Sequence, residues 1–295
     1  MPEIALTLVA RDLSPALEKR AAEAVYAEGV DGLRLDPLHQ GRALDILFKT
    51  DSEALVPHLR NKLKDLGAVD IFIQPNDASR KKKLFIADMD ATMVKQETLD
   101  ELAGHLGLKN KVAVITEKAM RGELDFFEAV KLRVAMLKGL PLKAVFETLE
   151  KIEYSDGAKT LVATLARHGA RCILVSGGFE FFTTPVGQTL GFHKSYGNAL
   201  GLSDGKLTGE VIPPLIDRDA KERILNEEAK ALNIPPALAL AIGDGANDVP
   251  MLLRAGAGVG YFGKPAVIAA TPHQIRHTDL TTVLYMQGYR KQDFC

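Results

Sequence analysis

The sequence predicts an α/β protein built on two sheets: a small βαββαβ unit first, then a doubly wound parallel sheet interrupted by a helical insertion. Three observations carry that expectation. Short apolar runs and helical segments fill residues 4 to 75. Apolar residues then recur at helical spacing from Glu97 to Ile152, and strand-like runs alternate with helices from there onward.

In chain order, IALTLVA from Ile4 reads as a strand and Ser14 to Ala27 as a helix. GLRLD and ALDILFK read as strands, Ser52 to Leu66 as a helix and VDIFIQ as a strand. That order is of ferredoxin-like type and predicts a two-layer domain over 1–76. The stretch NDASRKKK is polar, charged and without periodicity, predicting a linker over 77–83. A second domain, 84–295, opens with LFIAD. Its helical insertion spans about 97–152, where Phe126, Val130, Val134 and Leu137 share one spacing. Then follow a helix (Ala158 to His168), the strand CILVS, a loop and strand region around Ser195 to Val211, a helix (Asp219 to Leu232), the strand LALAIGD and short βα units. Ligands of open parallel sheets bind beyond the carboxyl ends of the strands. Three of these strands end in Asp88, Ser176 and Asp244.

A length of 295 residues suits two ordinary domains, and 46% hydrophobic with 25% charged residues excludes disorder and fibrous repeats. A net charge of -1 gives no electrostatic reason to expect nucleic acid or an anionic membrane as partner. Cys172 and Cys295 are the two cysteines, which argues against a disulfide framework and for a reducing compartment. The N-terminus has acidic residues around a short apolar run and no basic segment, unlike a signal peptide. No apolar stretch approaches the roughly 20 residues that span a bilayer. The expectation is a cytoplasmic protein.

Asp88 and Asp90 flank Met89 just beyond a buried strand, crowding negative charge that needs a cation or raised pKa values. Alone, the pair reads as a turn with two solvated carboxylates. The string Gly243-Asp244-Gly245-Ala246-Asn247-Asp248 follows another strand, and its carboxylates would complete an all-oxygen Mg²⁺ site with Asp88. Ser176-Gly177-Gly178 offers a hydroxyl and freed N–H groups, a phosphate cradle or simply a capped turn. Lys221 reads either as a point charge for a phosphoryl group or as a solvated helix lysine.

Together DMDAT, VSGG, Lys221 and GDGAND resemble, in order and type, the four motifs of the haloacid dehalogenase superfamily, across residues 84 to about 285. DMDATMVKQETLDELA, GELDFFEAVKLRVAMLKGLP, VSGGF, DGKLTGEV and GDGANDVPML resemble segments of the phosphoserine phosphatases. The N-terminal unit is similar in pattern to the ACT-type domain that precedes some of them. The resemblance implies that Asp88 attacks phosphorus to give an aspartyl phosphate and that Asp90 acts as acid, then base. It implies Mg²⁺ held by Asp88, the Asp90 carbonyl and Asp244, with Asp248 ordering the metal's waters. Ser176, Gly177 and Lys221 would hold the phosphoryl oxygens. Thr92 supports the loop, and Ala91 stands where the family often has a small hydroxyl residue.

Substrate identity is expected from the insertion. By the same resemblance Glu97 takes the ammonium and Arg133 the carboxylate of O-phospho-L-serine, with Phe126 as an apolar wall and Asn247 also at the substrate. Without the resemblance Glu97 and Arg133 read as ordinary helix charges, and Phe126 and Met89 equally as core. The implied activity is hydrolysis of phosphoserine to serine and phosphate, the last step of serine biosynthesis. The alternatives are another small phosphomonoester, transfer to an alcohol such as homoserine, or an amino acid sensor with the phosphatase region as output. ACT-type sheets often pair, so a homodimer through the N-terminal unit belongs to the same expectation. His105 and His168 are read as structural.

Overall fold

The computed structural model describes residues 1–120 and 124–295, with every side chain there except those of Ala119, Met120 and Phe126. The first unit runs β1 (Glu3–Ala10), α1 (Pro15–Tyr26), β2 (Asp31–His39), β3 (Ala43–Lys49), α2 (Leu55–Leu63) and β4 (Val69–Pro75). Its strands form an antiparallel sheet in the order β2-β3-β1-β4. Ser14 caps α1 by accepting from the Leu17 N–H, and Pro15 takes the first helical position, where no N–H is needed. The second helix is shorter than its apolar spacing predicts. No side chain caps it at Ala54, so Ser52 to Ala54 form a turn.

The sheet departs from the predicted two-layer unit in one respect. Leu6, Leu8, Ile46 and Phe48 pack under α1 and α2, whereas Val9, Ala43 and Phe72 on the opposite face join the core of the second sheet. Both faces are covered, which is why β1 reads as a continuous apolar run. Several buried polar groups are paired at that seam. Arg80, from the segment predicted as a linker, is buried and makes a two-pronged ion pair with Asp45 at 2.7 and 2.9 Å. Thr7 donates to Asp45 at 2.7 Å, and Lys82 reaches the Ala237 carbonyl at 3.0 Å.

The second sheet starts at β5 (Leu84–Ala87). The helices α3 (Thr98–Gly104), α4 (Lys109–Met120), α5 (Phe126–Ala135) and α6 (Leu142–Glu150) then intervene before α7 (Ala158–Arg167). After it come β6 (Arg171–Phe179), α8 (Glu180–Leu190), β7 (Lys194–Ser203), β8 (Lys206–Ile212), α9 (Arg218–Ala231), β9 (Ala239–Gly243), α10 (Val249–Arg254), β10 (Ala257–Tyr261), α11 (Pro265–Ala270), β11 (His273–Ile275) and α12 (Thr282–Met286). The seven strands lie in the order β11-β10-β9-β5-β6-β7-β8, all parallel except the β7–β8 hairpin. Leu84 and Ile86 face α9 and α10, and Phe85 and Ala87 face the opposite side. The strand predicted to stop at Ser176 runs on to Phe179, pairing again with Asn198 after a register shift. Among the described residues no helix is long and apolar enough to cross a membrane.

Candidate active site

Strand β5 is central, bonded to β6 on one side and β9 on the other. Chain order therefore reverses around it, and a crevice opens at its carboxyl end. The Asp88 N–H still follows the sheet, donating to the Ile242 carbonyl at 3.0 Å. Beyond it the backbone turns: Asp90 is extended (φ -65, ψ 137) and Ala91 left-handed (φ 52), with the Val94 N–H returning to the Met89 carbonyl at 3.0 Å. A left-handed residue with a Cβ costs about 1 kcal/mol. The turn brings Asp90 back beside Asp88, and both line one cavity of about 210 Å³ with Glu97, Arg133, Ser176, Gly177, Asp244 and Asn247. Met89 between them is fully buried in the core.

Lys221 is the clearest departure from the bland alternatives. It is fully buried, and its Nζ lies 2.6 Å from both Asp88 Oδ1 and Asp248 Oδ1. Burial opposes its charge, but Asp248 and Asp88 outweigh that and hold it protonated above the ordinary lysine range. Burial, with Asp248 and Asp244 nearby, pushes the Asp88 carboxyl well above the usual range despite Lys221. With Lys221 between Asp88 and Asp248 and Lys264 3.0 Å from Asp244, the three carboxylates keep a surplus of one negative charge, which a bound cation would offset.

Asp88, Asp244 and Asp248 are buried, and one oxygen from each lies within 4.8 Å of the others. Hard oxygen donors at this spacing fit a Mg²⁺ ion better than a softer metal. The other oxygen of Asp248 accepts from the Gly245 N–H at 3.0 Å, so this side chain also fixes the loop after β9. Glycine at 243 is a packing requirement: a Cβ there would lie 2.4 Å from the Asp248 carboxyl carbon.

Ser176 is buried, and its Oγ accepts from the Gly178 N–H at 2.8 Å. A Cβ at Gly178 would stand 2.9 Å from Asp90 Oδ2, so the second glycine of the pair lets Asp90 occupy its place. Asp90 Oδ1 accepts from the Thr98 N–H at 3.0 Å, tying it to the start of α3. Burial first, then the charge of Glu97, raise its carboxyl to about 7 against that hydrogen bond. Thr92 is fully buried with its hydroxyl unpartnered, consistent with a packing role in the turn.

Glu97 and Arg133 reach the cavity from the helical insertion. Arg133 is positioned by donating to the Ala129 carbonyl and to Thr116 Oγ1, each at 3.1 Å. The side chain of Phe126 lies outside the described residues. His105 bonds Thr148 Oγ1 and His168 the Asp293 carbonyl, both away from the cavity. Thr116 and Lys264 also line the cavity and were not singled out from sequence. Lys264 had a usable signal, since Phe262-Gly263-Lys264-Pro265 follows β10 at the same edge of the sheet.

The chain belongs to the haloacid dehalogenase-like hydrolase family, whose model matches residues 85–253. Within that family its likeness is to phosphoserine phosphatases. It is 41% identical over 211 residues to a phosphoserine phosphatase of Mycobacterium tuberculosis, covering 72% of this chain and 52% of that protein. A solved phosphoserine phosphatase described as a phospho-aspartyl intermediate analogue is 36% identical, with a TM-score of 0.66 over 69% of this chain and 98% of its own. A haloacid dehalogenase family hydrolase from Salmonella enterica is 27% identical, with a TM-score of 0.86 over 96% and 98% of the two chains. The last matches nearly the whole of this chain, whereas the chain spans about half the length of the mycobacterial relative.

Proposed function

We propose that this chain hydrolyses O-phospho-L-serine to L-serine and phosphate through an aspartyl phosphate on Asp88. The observation that carries the reading is the meeting, in one cavity, of Asp88, Asp90 and Ser176 with an anion, Glu97, and a cation, Arg133, from the helical insertion. The first three suit phosphoryl transfer; the other two suit the ammonium and carboxylate of an amino acid. The phosphoserine phosphatases among its relatives support the same substrate.

In this reading Asp88 attacks phosphorus while Asp90, with a carboxyl near 7, gives its proton to the departing seryl oxygen. Asp90 then takes a proton from the water that cleaves the aspartyl phosphate. Ser176, Gly177 and Lys221 hold the phosphoryl oxygens, and Asn247 contacts the substrate. Asp88, the Asp90 carbonyl and Asp244 would hold Mg²⁺, which supplies charge neutralisation of the phosphoryl group when bound. The first domain, with its ferredoxin-like strand order, is proposed to be of ACT type. Pairing of two chains through it is proposed on the edge strand β2, which pairs only with β3 among the described residues; sedimentation velocity of the full chain tests it. Two cysteines that form no disulfide, Cys172 buried and Cys295 exposed, support a reducing compartment such as the cytoplasm.

The test is turnover of phosphoserine against a panel of sugar and nucleotide phosphates, with and without Mg²⁺. Phosphoserine is expected among the best substrates and chelation is expected to abolish turnover. A sugar phosphate preferred by an order of magnitude would sink the assignment of Glu97 and Arg133.

A further inference from the structure

Lys264 lies where the metal-binding loop meets the helical insertion. Its Nζ is 3.0 Å from Asp244 Oδ2 and 3.6 Å from Glu97 Oε1. The reach is built into the backbone. The Lys264 N–H donates to the Asp244 carbonyl at 2.8 Å, Pro265 starts α11 directly after it, and Phe262 before it holds a left-handed φ of 45. Gly263 is closely packed: a Cβ there would stand 2.8 Å from Val267 Cγ1. The lysine is therefore presented to the cavity by a fixed turn rather than left on a solvated stem, and its side chain is 36% exposed.

Among the described residues, the ion pair shown for Glu97 is the one with Lys264. That has a consequence for any ligand carrying an ammonium. Glu97 cannot give its full charge to a substrate amine while a lysine stands on it. When no amine is present, by contrast, the lysine spares Glu97 from facing the negative cluster of Asp88, Asp90 and Asp244 uncompensated.

We propose that Lys264 is a specificity-determining residue: paired with Glu97, it holds the ammonium subsite until an amino acid phosphate displaces it. The proposal rests on the phosphoserine reading of the site. It predicts that Lys264 lowers selectivity for the amine. It competes with substrates that carry one and compensates Glu97 for those that do not.

The experiment compares kcat/KM for O-phospho-L-serine and for 3-phosphooxypropanoate, the same ester without the amine, in the Mg²⁺-loaded full chain. With Lys264→Met the ratio of the two is expected to rise about fivefold, equivalent to about 1 kcal/mol. The change should be shared between a lower KM for phosphoserine and a higher one for the amine-free ester. Lys264→Arg, which keeps the cation, should stay within about twofold of the parent ratio, and Lys264→Met placed on Glu97→Gln should no longer raise it. If Lys264→Met slows both esters alike and leaves the ratio within about twofold, the lysine is a counter-ion of Asp244 alone and the proposal is overturned. Should Lys264→Met not fold, Lys264→Gln is read the same way. A parent enzyme that ignores phosphoserine overturns the substrate reading itself; one that hydrolyses it with an unmoved ratio overturns only the role of Lys264.

Discussion

Asp90 is held in place by two small facts of the chain: a left-handed Ala91 that turns it back over the sheet, and a glycine at 178 that leaves it room. Burial and Glu97 keep its carboxyl near 7, and under the proposed mechanism it would both give and accept a proton at neutral pH. Asp90→Asn keeps the shape and removes that proton exchange. It is expected to lower kcat by about 10²–10⁴ with the melting temperature nearly unchanged, measured by steady-state kinetics and thermal unfolding on the same preparation. Gly178→Ala tests the room rather than the proton. The added methyl meets Asp90 Oδ2 at 2.9 Å, so kcat should fall while KM for phosphoserine moves little. Equal loss in a variant at a distant glycine would remove the case for a specific contact.

At the scale of elements, one contact positions a cavity residue and another joins the two sheets. Helix α4 supports α5 through Thr116, which accepts from Arg133. Thr116→Val removes that acceptor and should raise KM for phosphoserine about fivefold with kcat nearly constant, the size of one net hydrogen bond. Strand β11, at the far edge of the large sheet, is tied to β4 of the small one. Asp70 accepts from the N–H groups of Arg276, His277 and Thr278 at 2.8 to 3.2 Å, and Arg60 donates to the Pro272 carbonyl at 2.7 Å. His273 lies in that seam with its ring edge-on to Phe72, and burial first, then Arg60, pull its pKa from 6.5 to about 4. The sign is that of a base kept neutral by folding. The unfolded chain takes up the proton first, so the contribution is complete above pH 6.5 and is lost as pH falls toward 4. Urea unfolding between pH 7 and 4 should show that slope, and His273→Gln should flatten it. An unchanged slope would place the acid sensitivity elsewhere.

The whole molecule is joined through charged residues that the sequence presents as a tether. Arg80 is 6% exposed and satisfied by Asp45, Thr7, Asn76 and the Met286 carbonyl. Removing it with Arg80→Met leaves Asp45 buried without its partner, a loss expected to cost about 3–5 kcal/mol. Because Val9, Ala43 and Phe72 belong to the same core as β5 and β6, the two sheets should lose stability together. Denaturation followed by a probe in each sheet should give coincident transitions in the parent chain. Separate transitions in the parent would mean that the seam does not couple them.

The order of elements, the parallel sheet and the carboxylates at its edge were readable from the sequence, because strand and helix leave different apolar periods and motif spacing is local. DMDAT and GDGAND fixed the type of chemistry in the same way. What a linear pattern cannot carry is which distant groups share a volume. The motif resemblance singles out Lys221 as a phosphate ligand, but only folding shows it buried between Asp88 and Asp248. Arg80 looked like a linker residue until folding placed Asp45 opposite. Lys264 follows a strand at the right edge of the sheet, but its partners Asp244 and Glu97 are set only by the turn after β10. The sequence determined the order of the elements and the candidate reacting groups. The tertiary structure decided which charges are buried and paired, since desolvation and Coulomb energy depend on three-dimensional proximity and not on distance along the chain.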